Sequence, residues 1–260
     1  MDVKIIYFII IVFANTLGAI SGMGGGAMIK PLFDMFHAHP LGAISFYSSV
    51  AVFVMSIVST IRQVMNDVKI KIDFSLAISV GAVLGGIVGN VFFEFLLQYF
   101  ANDSLVQLIQ IILTIIMLLC VFFATNQNMK TYHLTNKIWY IVIGFVLGFF
   151  ATLLGIGGGP INVTFLMLFF SIPIKEATVY SIITIFFSQL SKLITIGVTT
   201  TFAVYDLNVL AAVVPAATIG GIIGGQLSGV LSEQRVMFVY KLVILFVAII
   251  NLFNGIKILF

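Results

Sequence analysis

The sequence predicts an all-α polytopic membrane protein made of two homologous, inverted repeats. It should contain about eight long transmembrane helices plus two short half-helices after Gly-rich breaks. Composition, an internal self-match and the placement of basic residues carry that prediction. Of 260 residues, 61% are hydrophobic and 8% charged, and the mean hydropathy is +1.23. Soluble domains carry about 25% charged residues, so a soluble globular domain is excluded and the solvent is lipid. At about 20 residues per span plus a connection, the chain holds about eight to ten spans and no sizeable extramembrane domain.

Apolar runs bounded by charged or turn residues fall at 3–21, 27–36, 41–61, 74–100 and 105–125. After a polar connection, five more fall at 138–154, 160–170, 177–201, 207–231 and 236–260. The two sets match in order and length. Residues 1–125 therefore read as a first membrane repeat, 126–137 as a cytoplasmic connecting loop and 138–260 as a second repeat, together one integral domain. Sliding the chain by 133 places Gly22, Gly24, Gly25 and Gly26 on Gly155, Gly157, Gly158 and Gly159, and Tyr47, Ser48 and Phe53 on Tyr180, Ser181 and Phe186. A shift of 135 places Gly85, Gly86 and Gly89 on Gly220, Gly221 and Gly224. Internal self-similarity of this kind marks a duplicated architecture.

Twelve Lys and Arg against nine Asp and Glu give a net charge of +3, but the basic residues stand singly or in pairs at run ends. That placement is an orientation signal, not a nucleic-acid surface. Equivalent connections carry opposite bias: Arg62, Lys69 and Lys71 follow the third run, whereas 202–206 has no base. Likewise 101–104 lacks a base where 232–235 has Arg235, and 37–40 lacks Lys or Arg where 172–176 has Lys175. All three pairs swap, as inversion requires. Eight full spans in parallel halves place nearly as many bases inside, so the parallel alternative stays open. Lys4 before an apolar stretch, followed by Gly18 and Ala19, has the outline of a signal peptide; the segment recurs in the second half, and a removable leader has no reason to be duplicated. Trp139, Tyr140, Tyr7 and Tyr99 lie near run ends, where aromatic rings favour the interface. Cys120, the single cysteine, reads as packing.

Ser21 to Gly26 and Leu154 to Pro160 are where the backbone cannot stay helical, since Gly costs about 1 kcal/mol and Pro about 3 kcal/mol in a helix interior. Pro160 suits the first turn of a new helix. Irregular backbone at membrane depth must be buried in protein or line a wet cavity. The apolar runs that follow are ten and eleven residues long, about 15 to 16 Å at 1.5 Å per residue, so they reach half way across. A half-helix that starts near the midplane points unpaired N–H groups and a positive dipole end inward, a setting for an anion. Corresponding breaks in two repeats point to a transporter binding site. The expected substrate-binding shell is Ser21, Gly24, Gly25, Gly26, Ser48, Thr152, Gly157, Gly158, Gly159, Asn162, Ser181, Thr184, Ser188 and Gln189. Residues 181, 184 and 188 share one helical stripe, although a single hydroxyl in a helix more often bonds its own backbone. Lys192 and Lys30 lie inside apolar runs, where they could attract or gate an anion; Lys192 is nine residues from its run's end and could instead snorkel. Gly85, Gly86, Gly89, Gly220, Gly221 and Gly224 read as close helix crossings.

Chemistry of other kinds is thinly represented. His37 and His39 with Asp34 lack a second metal-binding cluster, so no metal, cofactor or catalytic residue is expected, and the chain does not read as an enzyme. Glu94 and Asp34 are the carboxylates at membrane depth, too few to trace a proton relay. The coupling ion, a proton or sodium, stays open, as does assembly into a homo-oligomer.

Two breaks, Gly18-Ala19-Ile20-Ser21-Gly22-Met23-Gly24-Gly25-Gly26 and Gly148-Phe149-Phe150-Ala151-Thr152-Leu153-Leu154-Gly155-Ile156-Gly157-Gly158-Gly159-Pro160, each followed by a Ser/Thr-rich helix, resemble the sulfite exporter TauE/SafE family over essentially the whole chain. The resemblance implies a multi-pass permease of the bacterial cell membrane. Its expected cargo is a small, often sulfur-containing anion such as sulfite or a sulfonate, carried by alternating access. Its partners would then be that anion and the lipid bilayer, not nucleic acid. An anion channel of the same architecture is the second reading, and a membrane enzyme acting on a lipid or quinone the third. One departure is that the first break has Ala27 where the second has Pro160, with Pro31 four residues later.

Overall fold

The structure is a computed structural model that describes residues 3–36, 38–65, 71–126 and 131–259. His37, Lys69 and residues 127–130 of the connecting loop lie outside the described residues. Ten α-helices and no strand occur among the described residues: α1 Val3–Ser21, α2 Gly26–Phe36, α3 Leu41–Met65, α4 Ile72–Phe100, α5 Asp103–Asn126, α6 Lys137–Leu153, α7 Gly159–Phe170, α8 Ile174–Thr199, α9 Leu210–Val230 and α10 Glu233–Leu259. Seven are long and apolar enough to cross a membrane, against the eight expected. The difference is α6, whose 17 residues end early because the second Gly-rich break interrupts its run.

Each half opens with a helical hairpin. Tyr7 near the start of α1 stacks on Phe33 near the end of α2, with centroids 3.6 Å apart, and its hydroxyl meets His39 Nδ1 at 3.0 Å. The chain therefore returns to the level where α1 began. In the second half, the Tyr132 and Leu134 N–H groups donate to the Leu168 and Phe169 carbonyls at 2.7 and 3.0 Å, tying the segment before α6 to the last turn of α7.

Connections gather into two groups. In the first, Leu41 N–H donates to Asp103 Oδ2 at 3.1 Å, Tyr47 OH to the Asp206 carbonyl at 3.1 Å and Lys257 Nζ to the Met35 carbonyl at 3.3 Å. In the second, Lys71 N–H donates to Tyr180 OH at 3.0 Å and Lys175 Nζ to the Gly229 carbonyl at 3.2 Å. Tyr47 and Tyr180, equivalent by sequence, thus anchor opposite groups.

The halves also exchange partners. The most extensive contacts are α4 with α6, α1 with α9, α3 with α9 and α4 with α8. Glycines set the approach: a Cβ on Gly85 would lie 2.0 Å from the Phe145 carbonyl oxygen, and one on Gly224 would lie 2.5 Å from that of Thr16. Gly86 likewise faces Ser188 and Ser191 of α8, while Gly221 faces Met55 and Val58 of α3. These are the close crossings expected of the second glycine set. Small residues at such contacts let backbones pack where lipid supplies no hydrophobic drive between helices.

Two sequence expectations need correction. Tyr7 is not an interfacial anchor but fully buried under Phe33, whereas Tyr99 and Trp139 are exposed; Tyr140 is half-buried against Phe74 and Phe170. Cys120 is exposed on α5 rather than packed, because it falls on the face that α5 turns away from α7 and α10.

Candidate functional site

Both Gly-rich segments interrupt their helices. Backbone with positive φ occurs at Gly22 and Gly24 (71° each) in the first and at Gly155 (65°), Gly157 (69°), Gly158 (118°) and Gly159 (58°) in the second, a region that side chains with a Cβ disfavour. Pro160 sits in the first turn of α7, as expected. Pro31 lies inside α2, and its carbonyl accepts from Asn254 Nδ2 at 2.7 Å, so α10 steadies the half-helix that lacks an N-terminal proline.

The breaks meet each other. Gly159 N–H donates to the Met23 carbonyl at 2.9 Å, and a Cβ on Gly26 would lie 2.4 Å from the Ile156 carbonyl oxygen. Val52 from α3 and Ile185 from α8 close against Gly24, Gly157 and Gly158. All break residues are buried. The half-helix N-termini therefore converge at the centre but pack against protein, where the sequence led us to expect them facing a wet cavity. The irregular backbone is satisfied partly by its own half, as where Gly24 N–H donates to the Gly18 carbonyl and Gly157 N–H to that of Ala151, and partly by the opposite half.

Serines on the following helices do part of that work. Ser48 Oγ donates to the Gly155 carbonyl at 3.3 Å and Ser181 Oγ to the Gly22 carbonyl at 2.5 Å. The donors are equivalent, the acceptors are equivalent, and each bond crosses between halves. Thr152 Oγ1 donates to the Gly86 carbonyl at 3.0 Å, fastening α6 to α4. Ser21, Thr184 and Ser188 return their hydroxyl protons to their own helices. Asn162 and Gln189 are fully buried with neither side-chain polar atom partnered, and Asn15 Oδ1 is likewise unsatisfied. Such groups are costly to leave bare and mark where a visiting polar group could bind. Asn15, one of the polar residues that precede the first break in the sequence, shares this position with the expected shell, beside Gly25.

Charge concentrates beside the second break. Lys192 is 1% exposed, so its chain does not snorkel. Its ammonium donates to Ser45 Oγ at 2.7 Å and to the Thr152 carbonyl at 3.4 Å, and lies 5.6 Å from the centre of the Phe93 ring. No carboxylate among the described residues lies within ion-pair distance of it. Lys30 is also buried but is paired to Asp34 at 2.9 Å. A Cβ on Gly155 would touch both Ser45 Oγ and the Lys30 stem, so the two lysines approach the same turn of backbone. With Asp34 engaged by Lys30, the nearest charge left to balance Lys192 is Glu94 on α4, beyond ion-pair distance. By sequence equivalence Lys30 corresponds to Val163 and Lys192 to Ser59, so the second half's break alone receives this charge.

The sequence model of the family described as "Sulfite exporter TauE/SafE" matches residues 7–252, nearly the whole chain and both breaks. The chain belongs to the TauE/SafE family. It is an integral, multi-pass membrane transporter and not an enzyme. It is similar to the "Probable membrane transporter protein YunE" of Bacillus subtilis (strain 168), at 25% identity over 270 residues that cover 94% of this chain and 95% of that protein. No solved structure matches it.

Proposed function

We propose that this TauE/SafE transporter carries a small, sulfur-containing anion such as sulfite or a sulfonate by alternating access, binding it between the converging half-helix N-termini and Lys192. The single observation that carries the reading is the fully buried Lys192 ammonium, held by a hydroxyl and a carbonyl with no carboxylate at ion-pair distance. An ammonium in a span costs about 2.5 to 3.5 kcal/mol on insertion scales, and an anion beside it recovers that cost. The dipole ends of α2 and α7 add to the same field. Asn162, Gln189 and Asn15 offer unsatisfied polar atoms for orientation, and Ser48 and Ser181 hold the break geometry.

The parity of the crossings supports inverted halves as part of this reading. A hairpin that returns the chain to its starting level, followed by three crossing helices, leaves the second half starting on the opposite side. The two groups of connections support this, since equivalent connections fall in opposite groups. Lys71 and Lys175 belong to the second group of connections, Arg62 lies beside Gly225 near the end of α9 and Arg235 lies in the first turn of α10. On this reading the positive-inside bias makes that side cytoplasmic. Because the breaks are closed on each other, passage of the anion requires them to part, first toward one face and then the other.

Uptake of radiolabelled sulfite into proteoliposomes tests the reading. Wild-type protein should exchange sulfite across the membrane, and Gly25→Val or Gly158→Val should abolish exchange while the protein still inserts. A Cβ at Gly25 would lie 1.8 Å from Asn15 Oδ1, and at Gly158 2.6 Å from Asn162 Nδ2. Normal flux in both variants overturns the site. Flux that never exceeds the imposed anion gradient under any ion gradient identifies a channel instead.

A further inference from the structure

Away from the breaks, α4 places Asn90, Glu94 and Gln98 four residues apart on one stripe, and α8 places Thr195 and Thr199 opposite them. These residues line a cavity of about 280 Å3, room for several waters at about 30 Å3 each. Asn90 is fully buried in its wall with neither polar atom of its side chain partnered. Thr195 and Thr199 donate their hydroxyl protons to their own helix at 2.8 Å each, so what remains for the cavity is lone pairs. With the Glu94 carboxylate added, the lining carries negative charge, and the Asn90 and Gln98 amides add donors as well as acceptors. It suits water and protons, and its negative charge disfavours the anion itself. Lys192 lies one turn from Thr195 on α8, and its ammonium is 5.6 Å from the ring centre of Phe93, the residue before Glu94 on α4.

Resting on the transport reading above, we propose that this cavity is the coupling-proton site, with Glu94 as the proton carrier and Lys192 as its link to the anion. Ionised, Glu94 offsets the field of the Lys192 ammonium. A proton that enters through the cavity water converts the carboxylate to a neutral carboxyl, and the ammonium's field is then left to the anion. Linkage is reciprocal, so bound anion favours bound proton and the two cross together; the proton returns to water when the anion leaves. A proton needs only one carboxylate oxygen to hold it, and Glu94 is the one charged residue in the cavity lining among the described residues. The titratable groups facing Glu94 are Lys192 from α8 and Tyr205 from the α8–α9 connection, with Lys30 beyond Lys192; Asp103 at the start of α5 is engaged by Leu41 N–H.

Full-length protein in proteoliposomes with the membrane potential clamped should accumulate radiolabelled sulfite along an imposed pH gradient, and its sulfite counterflow should vary with pH. Glu94→Gln should lose gradient-driven accumulation and make counterflow independent of pH, and Glu94→Asp should recover both. Accumulation by Glu94→Gln equal to wild type overturns the proposal, as does accumulation driven by a sodium gradient at equal pH. Infrared titration in nanodiscs needs no substrate: a carboxyl band should be present in wild type, absent in Glu94→Gln and displaced in midpoint by Lys192→Met. A missing band or an unmoved midpoint overturns the coupling site even where sulfite is carried. That band without any sulfite flux supports the coupling site and overturns only the assignment of sulfite as cargo.

Discussion

Replacing Lys192 with Met separates stability from function. Met fills a similar volume but removes a buried charge whose insertion costs about 2.5 to 3.5 kcal/mol. Against that gain stands the charge-assisted bond to Ser45 Oγ at 2.7 Å, a class of contact worth about 1.5 to 3 kcal/mol. The net change should range from near zero to about 2 kcal/mol in favour of the variant, which is the behaviour known for buried ionic groups replaced by apolar ones. An anion in contact with the ammonium at about 4 Å gains about 4 kcal/mol at an effective dielectric constant of about 20, which corresponds to about a thousandfold in affinity. Lys192→Met should therefore unfold no earlier than wild type in a detergent thermal ramp while its equilibrium sulfite binding falls by about that factor. Near wild-type affinity would refute the reasoning, because the charge would then contribute nothing to recognition.

Three further expectations follow from the packing. Gly85→Leu should collapse the α4–α6 crossing, where a Cβ already meets carbonyl oxygen at 2.0 Å, and cost about 3 kcal/mol or more; Gly42→Ala, with its nearest neighbour at 3.9 Å, should leave the unfolding temperature near wild type. Ser48→Ala and Ser181→Ala should each cost about 1 kcal/mol, and thermal unfolding of the double variant should show coupling between them because both brace the joined breaks. In a Cys120→Ser background, Ser104→Cys should react with an impermeant maleimide from outside intact cells and Ser232→Cys only after permeabilisation; labelling of both from one side would exclude inverted halves.

Much of the architecture was legible because each element announced itself twice. The apolar runs recur in order, the breaks recur at a displacement of 133 and the α4 and α9 glycine stripes at 135, and duplication turns a weak local signal into a strong one. Ser48 and Ser181 carried more information than their hydroxyls suggested: they were duplicated together with Gly22 and Gly155, the residues they reach across to hold. What the sequence left open had no copy. Lys192 stands nine residues from the end of its run in sequence, and only the tertiary placement of Ser45, Thr152 and Phe93 around its ammonium decides that it turns inward. Asn90 has Gly225 as its counterpart at the displacement of 135, so no repetition flagged it. The closure of one break upon the other also lay beyond pattern reading, since a glycine cluster fits a water-lined turn and a dry one equally well.

The swapped pairing of α4 with α6 and α9 with α1 has a consequence for how the polypeptide can be cut. A fragment that ends before the central connection carries α4 with its glycine groove bare, and the complementary fragment carries α9 in the same condition. Neither piece can fill its own groove with the helix that fits it, so each alone should be a substrate for membrane quality control. Produced together from two genes, the pieces have every reason to find one another and rebuild the whole.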